Sequence, residues 1–221
     1  MLIAFEGIDC VGKTMAIKTI KDVLEKKGYS VCCESDWRFP GNEELRNLLI
    51  NEGDWTIQML SVLLARRRSM SPLRKRTYEF DVVLHDRYSL STMVYQHWCL
   101  HDTAFQDLLE SVTLPYELFY IRPADGYDRG KFLKKRYTND RFDCSDKQKL
   151  WLDNYEYLLL NHAELAEKTH MKDVLNWQFS YIVENDGTDK FKERLIQMAD
   201  KIAERIDAEK SCGLVCGNSH A

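Results

Sequence analysis

The chain has 221 residues, and its 31 basic and 35 acidic side chains leave a formal net charge of −4 at pH 7. This balance gives no general positive field for nucleic acid, and no apolar run is long enough to span a membrane, so we expect neither among the partners. The seven scattered cysteines, with no secretory signal pattern, favour a reducing, cytoplasmic compartment.

The first predicted element is a strand over residues 2–5, and the segment after it matches the phosphate-loop pattern G-x-x-x-x-G-K-[ST]. Its two glycines let consecutive backbone N–H groups converge on a polyphosphate, and the dipole of the following helix favours negative charge. Lys13 would contact the outer phosphates, and the Thr14 hydroxyl would ligate Mg²⁺. The predicted ATP-binding residues are Gly7, Ile8, Asp9, Cys10, Val11, Gly12, Lys13 and Thr14.

Strands and helices alternate along the rest of the chain. Apolar runs predict further strands at 29–34, 82–85, 118–121 and 179–183. Helical spacing predicts helices from the loop to Gly28 and at 42–52, 54–76, 89–99, 103–112, 146–169 and 188–208, with Pro72 bending or interrupting the third. We therefore predict one α/β domain over 1–208, with a five-stranded parallel sheet flanked by helices, and a disordered tail over 209–221.

The residues that follow the second and third strands are the next candidates, because parallel sheets bind ligands beyond the carboxyl ends of their strands. Arg38 and Phe39 follow the second strand, and Asp86 and Arg87 follow the third. Asp86 can hold Mg²⁺, and the planar guanidinium of Arg87 can neutralise a phosphate on a second substrate. Alone, this pair could equally be a surface ion pair, but its position beside the phosphate loop favours phosphoryl transfer to a phosphorylated acceptor.

Several segments together resemble the thymidylate kinase family of nucleoside monophosphate kinases. They are FEGID at 5–9 with GKT at 12–14, RFPG at 38–41, ARR at 65–67, DRY at 86–88 with ST and YQ at 91–96, and DRFD at 140–143. The resemblance implies transfer of the ATP γ-phosphoryl group to dTMP, giving dTDP and ADP for dTTP synthesis, with Mg²⁺ as cofactor. It also implies a P-loop kinase fold with a mobile lid, usually in a homodimer.

By this resemblance, Asp9 would hold the 3′-hydroxyl of the acceptor sugar, and Arg38 and Phe39 would line the monophosphate site. Arg67 matches the arginine that reads the thymine carbonyl, with a register uncertain by one residue because three arginines are consecutive. Leu63 stands where the family usually has a phenylalanine that stacks on thymine, so the base selectivity stays open.

Three residues after the third strand complete the expected acceptor site. Ser91 and Gln96 match base-facing positions of the family. Tyr95 matches the aromatic residue whose ring fills the space of a ribose 2′-hydroxyl, which implies a deoxyribonucleotide. The expected acceptor-binding residues are Asp9, Arg38, Phe39, Leu63, Arg67, Arg87, Ser91, Tyr95 and Gln96.

The basic stretch 125–143, after the fourth strand, is expected to be the lid. Closed over a triphosphate, it would form charge-assisted hydrogen bonds and exclude water. Some members of the family place a catalytic arginine where this chain has Cys10, so the charge is expected from the lid instead. The expected catalytic residues are Lys13, Asp86, Arg87, Arg136 and Arg141, and the expected metal ligands are Thr14 and Asp86.

Two other functions stay open at this point. A broad deoxynucleoside monophosphate kinase would use the same mechanism and is favoured by the aliphatic Leu63. A deoxynucleoside kinase or a nucleotide-dependent binding module differs in kind. The former should show Glu-Arg-Ser after the third strand, and the latter would not need Asp86 and Arg87 together.

Overall fold

The computed structural model describes residues 1–95, 102–125, 127, 145–177 and 179–217, except for the side chains of 145–146 and 212–217. The strands are β1 (Leu2–Glu6), β2 (Val31–Glu34), β3 (Val82–Asp86), β4 (Glu117–Pro123) and β5 (Ser180–Asn185). The helices are α1 (Lys13–Lys26), α2 (Asn42–Asn51), α3 (Trp55–Glu79), α4 (Ser89–Tyr95), α5 (Thr103–Ser111), α6 (Ser145–Lys168), α7 (Lys172–Leu175) and α8 (Asp189–Gly217). A 3₁₀ turn spans Asp36–Arg38.

The five strands form one parallel sheet in the order β2-β3-β1-β4-β5, and helices flank it. This confirms the predicted α/β class and the parallel sheet. The central strand β1 is fully apolar over residues 2–5, as a strand buried on both faces must be. The rings of Phe5 and Phe119 stack at 4.5 Å between β1 and β4. Because all strands run in one direction, their carboxyl ends share one edge.

The turn between β1 and α1 requires its two glycines. Gly7 has φ 136° and Gly12 has φ 100°, both in the region that favours glycine. A Cβ atom on Gly7 would lie 2.4 Å from the carbonyl oxygen of Ile121, and one on Gly12 would lie 2.7 Å from Nδ2 of Asn185. The predicted phosphate loop is therefore packed tightly against the ends of β4 and β5.

Helix α3 excludes one of the two effects expected of Pro72, an interruption. It continues through Pro72 to Glu79 and is not interrupted there. Pro72 and Arg68, whose carbonyl would accept the missing N–H bond, are both exposed. Water can satisfy that carbonyl, so the proline costs the helix less than it would in a buried position.

The end of the chain differs from the expected disordered tail. Helix α8 runs to Gly217, so residues 209–217, which we predicted as part of a disordered tail, are helical. Lys210 Nζ lies 2.6 Å from Asp81 Oδ1 and joins this extension to the start of β3. Among the described residues, no helix has both the length and the apolar composition needed to cross a bilayer.

Candidate active site

A cavity of about 850 Å³ opens at the carboxyl edge of the sheet. Its wall comes from the phosphate loop, the 3₁₀ turn after β2, the β3–α4 turn and the β5–α8 turn, with additional side chains from α2 and α3. Residues far apart in sequence meet here because the strands that carry them are parallel neighbours. The candidate site lies where the sequence predicted it.

The phosphate loop contributes two kinds of residue. Ile8 and Val11 are fully buried in the core, so only their backbone groups can serve a ligand. Cys10 lines the cavity with φ 59°, a left-handed conformation that disfavours a side chain. Asp9 and Thr14 also line the cavity, so the loop presents polar side chains as well as backbone to it.

Lys13 is folded back onto its own loop. Its Nζ donates to the carbonyl oxygens of Gly7, at 2.9 Å, and Ile8, at 2.8 Å. Burial, and to a lesser degree the charge of Arg87, lowers the pKa of Lys13 to about 8. The ammonium is therefore held at the cavity wall in a state that a polyphosphate would stabilise.

Arg87 is the centre of a cluster that joins the β3–α4 turn to the phosphate loop. Its Nη2 donates to Asp9 Oδ1 at 2.6 Å, and its Nη1 donates to Tyr95 Oη at 2.8 Å, Ser91 Oγ at 3.3 Å and the Gly7 carbonyl at 3.1 Å. Its backbone has φ 61°. A strained residue of this kind persists only where its surroundings fix it, which is typical of functional sites.

Glu6, which the sequence analysis did not single out as a site residue, provides much of that fixation. It is fully buried at the end of β1 and accepts from Tyr88 N at 2.7 Å, Ser91 N at 3.1 Å and Tyr155 Oη at 3.1 Å, as well as from Ser91 Oγ. Burial raises the pKa of Glu6, although the hydrogen bonds and nearby Arg87 act in the opposite direction. The carboxylate thereby fixes the backbone that follows Arg87.

Asp86 and Thr14 have the chemistry of a Mg²⁺ site. Asp86 Oδ1 is buried without a hydrogen-bond partner among the described residues, and Asp86 and Thr14 line the same cavity. Oxygen ligands suit Mg²⁺, which commonly takes one or two protein ligands together with phosphates. The described part of the chain holds no group of three or more His, Cys, Asp or Glu side chains placed for a metal. These residues fit a metal that arrives with a nucleotide.

The two residues after β2 that we predicted to bind the acceptor nucleotide, Arg38 and Phe39, have different environments in the structure. Arg38 is exposed at the cavity wall, where its Nη1 donates to the Cys33 carbonyl at 3.1 Å. Phe39 is instead buried in the core and is not among the described residues that line the cavity, so its contact with an acceptor stays a prediction that the cavity wall does not support. Trp37 lines the cavity in its place, although no motif indicated it.

On α3 the residues that line the cavity lie one position before those that the resemblance indicated, within the uncertainty that the three consecutive arginines left. Val62 and Arg66 line the cavity, whereas Leu63 lies in the core and Arg67 is exposed, with its Nη1 3.8 Å from Met70 Sδ. A step of one residue rotates a side chain by about 100° around a helix. Val62, like Leu63, is aliphatic, so the expected lack of an aromatic contact with the base holds for either residue.

Arg66 is buried and ionically paired. Its Nε and Nη2 both donate to Asp36 Oδ2 at 3.0 Å, and its Nη1 donates to Ser89 Oγ at 3.0 Å. Ser69 Oγ donates to the other oxygen of Asp36 at 2.6 Å. Burial alone would raise the pKa of Asp36, but Arg66 and these hydrogen bonds hold it below its ordinary value. The sequence analysis missed Asp36, since nothing local distinguishes it from a surface acid.

The remaining predicted acceptor residues lie on α4 or beyond it. Ser91 and Tyr95 line the cavity, and the Tyr95 ring packs edge-on against Trp151 at 4.7 Å. Gln96 lies outside the described residues, as do Arg136 and Arg141 of the predicted lid.

The β5–α8 side of the cavity was not predicted. Asn185 is buried, donates from Nδ2 to the Val11 carbonyl at 2.9 Å, and accepts from Gly187 N at 2.8 Å. Tyr127 packs on Gly187 and donates to the Cys10 carbonyl at 3.3 Å. This rim is tied to the phosphate loop by hydrogen bonds.

Comparison with known proteins gives consistent matches. A family model described as thymidylate kinase matches residues 5–171. The chain is 35% identical to a probable thymidylate kinase of Sulfurisphaera tokodaii over 166 residues, which cover 75% of this chain and 82% of that protein. It is 27% identical over 194 residues to a thymidylate kinase of Bacillus pumilus, covering 78% and 87% of the two chains. For a thymidylate kinase of Thermoanaerobacter sp. the identity is 31% over 164 residues, covering 66% and 78%.

Proposed function

The chain belongs to the thymidylate kinase family, and we propose that it transfers the γ-phosphoryl group of ATP to dTMP, giving dTDP and ADP for dTTP synthesis. The observation that carries this proposal is a single cavity that holds both the phosphate loop and the cluster of Arg87, Asp9 and Tyr95. A donor triphosphate and an acceptor monophosphate can meet there with their phosphates adjacent.

On the donor side, the amides of the phosphate loop and the start of α1 bind the β- and γ-phosphates. Lys13 exchanges its bonds to the loop carbonyls for bonds to phosphate oxygens, which restores its full charge. Thr14 and Asp86 would hold Mg²⁺, which neutralises phosphate charge when bound. Asn185 keeps the loop in place through the Val11 carbonyl.

On the acceptor side, Arg87 neutralises the monophosphate and Arg38 adds a second positive charge at the same wall. Asp9 accepts a hydrogen bond from the sugar 3′-hydroxyl, and the ring of Tyr95 excludes a 2′-hydroxyl. Arg66 reads the base carbonyl from α3. In the transfer, an acceptor phosphate oxygen bonds to Pγ while the bond between Pγ and the bridging oxygen breaks, and its electrons stay with ADP. The attacking oxygen is already ionised, so no general base is required.

The lid arginines Arg136 and Arg141 remain a proposal for the charge that stabilises the equatorial oxygens. They would supply what Cys10 cannot supply from the phosphate loop. A double substitution of both arginines by alanine should lower kcat strongly and leave dTMP binding intact.

A broader deoxynucleoside monophosphate kinase is the second candidate, and Val62 is the observation that favours it. An aliphatic side chain at this wall lacks the aromatic contact to a base, which is worth about 1 kcal/mol. The experiment that tests both is an ADP-release assay with ATP-Mg²⁺ and dTMP, dUMP, dCMP, dGMP, dAMP or thymidine. Activity with dTMP alone supports the first candidate, and similar rates with several bases support the second. Activity with thymidine but with no monophosphate would contradict both.

We further propose that the protein forms a homodimer through α3. Ile57, Leu60 and Leu64 are 40%, 49% and 45% exposed and lie on one side of this helix. An apolar stripe of this kind suits a self-complementary contact about a two-fold axis. Sedimentation velocity should show a dimer for the wild type and a monomer for Leu60→Asp; a monomeric wild type would contradict this proposal.

A further inference from the structure

Arg66 differs from the other cations of the cavity. It is 3% exposed, and a carboxylate that is itself buried binds two of its nitrogens. Arg38 and Arg46, by contrast, are exposed, and Arg87 and its partner Asp9 are both partly exposed. In a cavity built for two phosphorylated ligands, any unpaired arginine would attract phosphate. Among the arginines that line the described cavity, Arg66 is the one whose ion pair is buried on both sides.

The pairing also fixes the direction of the guanidinium. Asp36 Oδ2 takes two N–H groups, Ser89 Oγ takes a third, and the plane lies over the Tyr88 ring with Cζ 4.7 Å from its centroid. A guanidinium has five N–H groups, so two are not used by Asp36 and Ser89, and Arg66 is among the residues that line the cavity. Two oriented N–H donors whose positive charge is balanced by Asp36 suit the carbonyl oxygen of an uncharged nucleobase.

Asp36 is in turn held by its surroundings. Ser69 Oγ donates to its Oδ1 at 2.6 Å, and Asn42 Nδ2 donates to its backbone oxygen at 2.6 Å and to that of Ala65 at 2.9 Å. These bonds join the 3₁₀ turn to α3, so the carboxylate cannot follow Arg66 if that side chain moves. The wall of the same cavity also carries the apolar side chains of Leu49, Ile50 and Val62.

We propose that Asp36 is a positioning residue that commits Arg66 to the base of the acceptor nucleotide by fixing its guanidinium and cancelling its charge. The inference deepens the proposed function and rests on it. It predicts an oriented acceptor, with the base at Arg66 and the phosphate at Arg38 and Arg87. Without Asp36, Arg66 would be an unpaired buried cation that competes for phosphate.

The test compares the affinity of the full-length protein for dTMP with its affinity for deoxyribose 5-phosphate, by calorimetric titration with competition. The two ligands share the sugar phosphate, so the ratio of their affinities isolates the contribution of the base. Asp36→Asn should lower the affinity for dTMP at least tenfold and leave that for deoxyribose 5-phosphate unchanged or higher. An equal loss for both ligands would indicate a structural role and overturn the proposal.

Two further variants show whether Asp36 acts through Arg66. In an Arg66→Met background, Asp36→Asn should change the affinity ratio less than twofold; a full additive effect would overturn the proposal. Arg66→Lys keeps the charge but cannot donate from two nitrogens of one plane, and it should reduce the base contribution as Asp36→Asn does. This variant serves if Asp36→Asn folds poorly, and an unchanged ratio in it would also overturn the proposal.

Asp54→Asn is the matched control. Asp54 caps α3 by accepting from Thr56 N at 2.7 Å, and asparagine caps a helix equally well. It makes the same change of charge at the N-cap of the helix that carries Arg66, outside the residues that line the cavity, and should leave the affinity ratio unchanged. The titration needs no turnover, so a protein that binds dTMP but phosphorylates no monophosphate would refute the proposed function while the ratio still tests Asp36. A wild type that binds dTMP no better than deoxyribose 5-phosphate would overturn the role of Asp36.

Discussion

Replacing Glu6 by alanine tests whether one buried carboxylate holds the β3–α4 turn to the end of β1. In the wild type its two oxygens accept from two backbone N–H groups, of Tyr88 and Ser91, and from the hydroxyls of Ser91 and Tyr155. All of these groups surround a side chain with no solvent exposure. Alanine removes every acceptor at once and leaves a cavity.

The magnitude follows from the groups that lose a partner. Each buried N–H left without an acceptor costs about 1–3 kcal/mol, and the cavity adds to this. The hydroxyls can rotate toward each other, since Ser91 Oγ lies 2.9 Å from Tyr155 Oη, so they add little. The free energy of unfolding should therefore fall by about 3–5 kcal/mol. Glu6→Gln keeps one oxygen for the two N–H groups and turns its NH₂ toward the hydroxyls, so it should cost less than half as much.

Urea denaturation followed by circular dichroism measures this difference. With an m-value of about 2–3 kcal/mol/M, the midpoint of Glu6→Ala should lie about 1–2 M below that of the wild type, and Glu6→Gln should lie between them. A loss under about 1 kcal/mol for Glu6→Ala would refute the reasoning, because two buried N–H groups cannot lose their acceptor at so small a cost. Equal losses for both variants would show that charge, not hydrogen bonding, is what Glu6 supplies.

Four further predictions concern Lys13, Arg87 and Tyr95. Lys13→Ala should abolish turnover, and near-normal kcat in a coupled assay would contradict the role of the phosphate loop. ATP binding to the wild type at pH 8 should take up about half a proton, because the pKa of Lys13 is about 8 in the free protein and the phosphates raise it. The affinity for ATP should thus fall as the pH rises above 8. Calorimetry in buffers of different ionisation enthalpy measures the number of protons taken up, and a value of zero would contradict this prediction. Arg87→Ala should lower kcat/KM for dTMP about 100-fold or more; if only the KM for ATP moved, Arg87 would belong to the donor site. Tyr95→Gly should relax the preference for deoxyribose while Tyr95→Phe keeps it, and unchanged discrimination against ribonucleotides in the glycine variant would show that the ring does not exclude the 2′-hydroxyl.

The differences between the expected and the observed cavity wall share a physical cause. Phe39 and Leu63 were assigned to the acceptor site from their match to the family's motifs, but which side of a turn or helix faces a cavity depends on what packs behind it. Three consecutive arginines give no local signal that one of them is buried. Arg66 differs from Arg67 only because Asp36, thirty positions earlier, comes to lie beside it in the folded chain.

The lid arginines and Gln96 stay predictions, because they lie outside the described residues. The range of bases that the protein accepts also stays open, because Val62, the residue that lines the cavity instead of Leu63, is aliphatic too. The rim from Asn185 to Lys192 carried no motif, so only the arrangement of β5 beside β4 revealed that it borders the phosphate loop.

The sequence alone determined the phosphate loop, the alternation of strands and helices, and the Asp86-Arg87 pair at the end of a strand. Each depends on neighbours along the chain, through backbone freedom at glycine, periodic apolar residues and the direction of a strand. Only the tertiary structure decided which helical face lines the cavity and which buried carboxylates, Glu6 and Asp36, hold the arginines in place. Those contacts join residues of different elements, and their energies exist only after the elements have packed together.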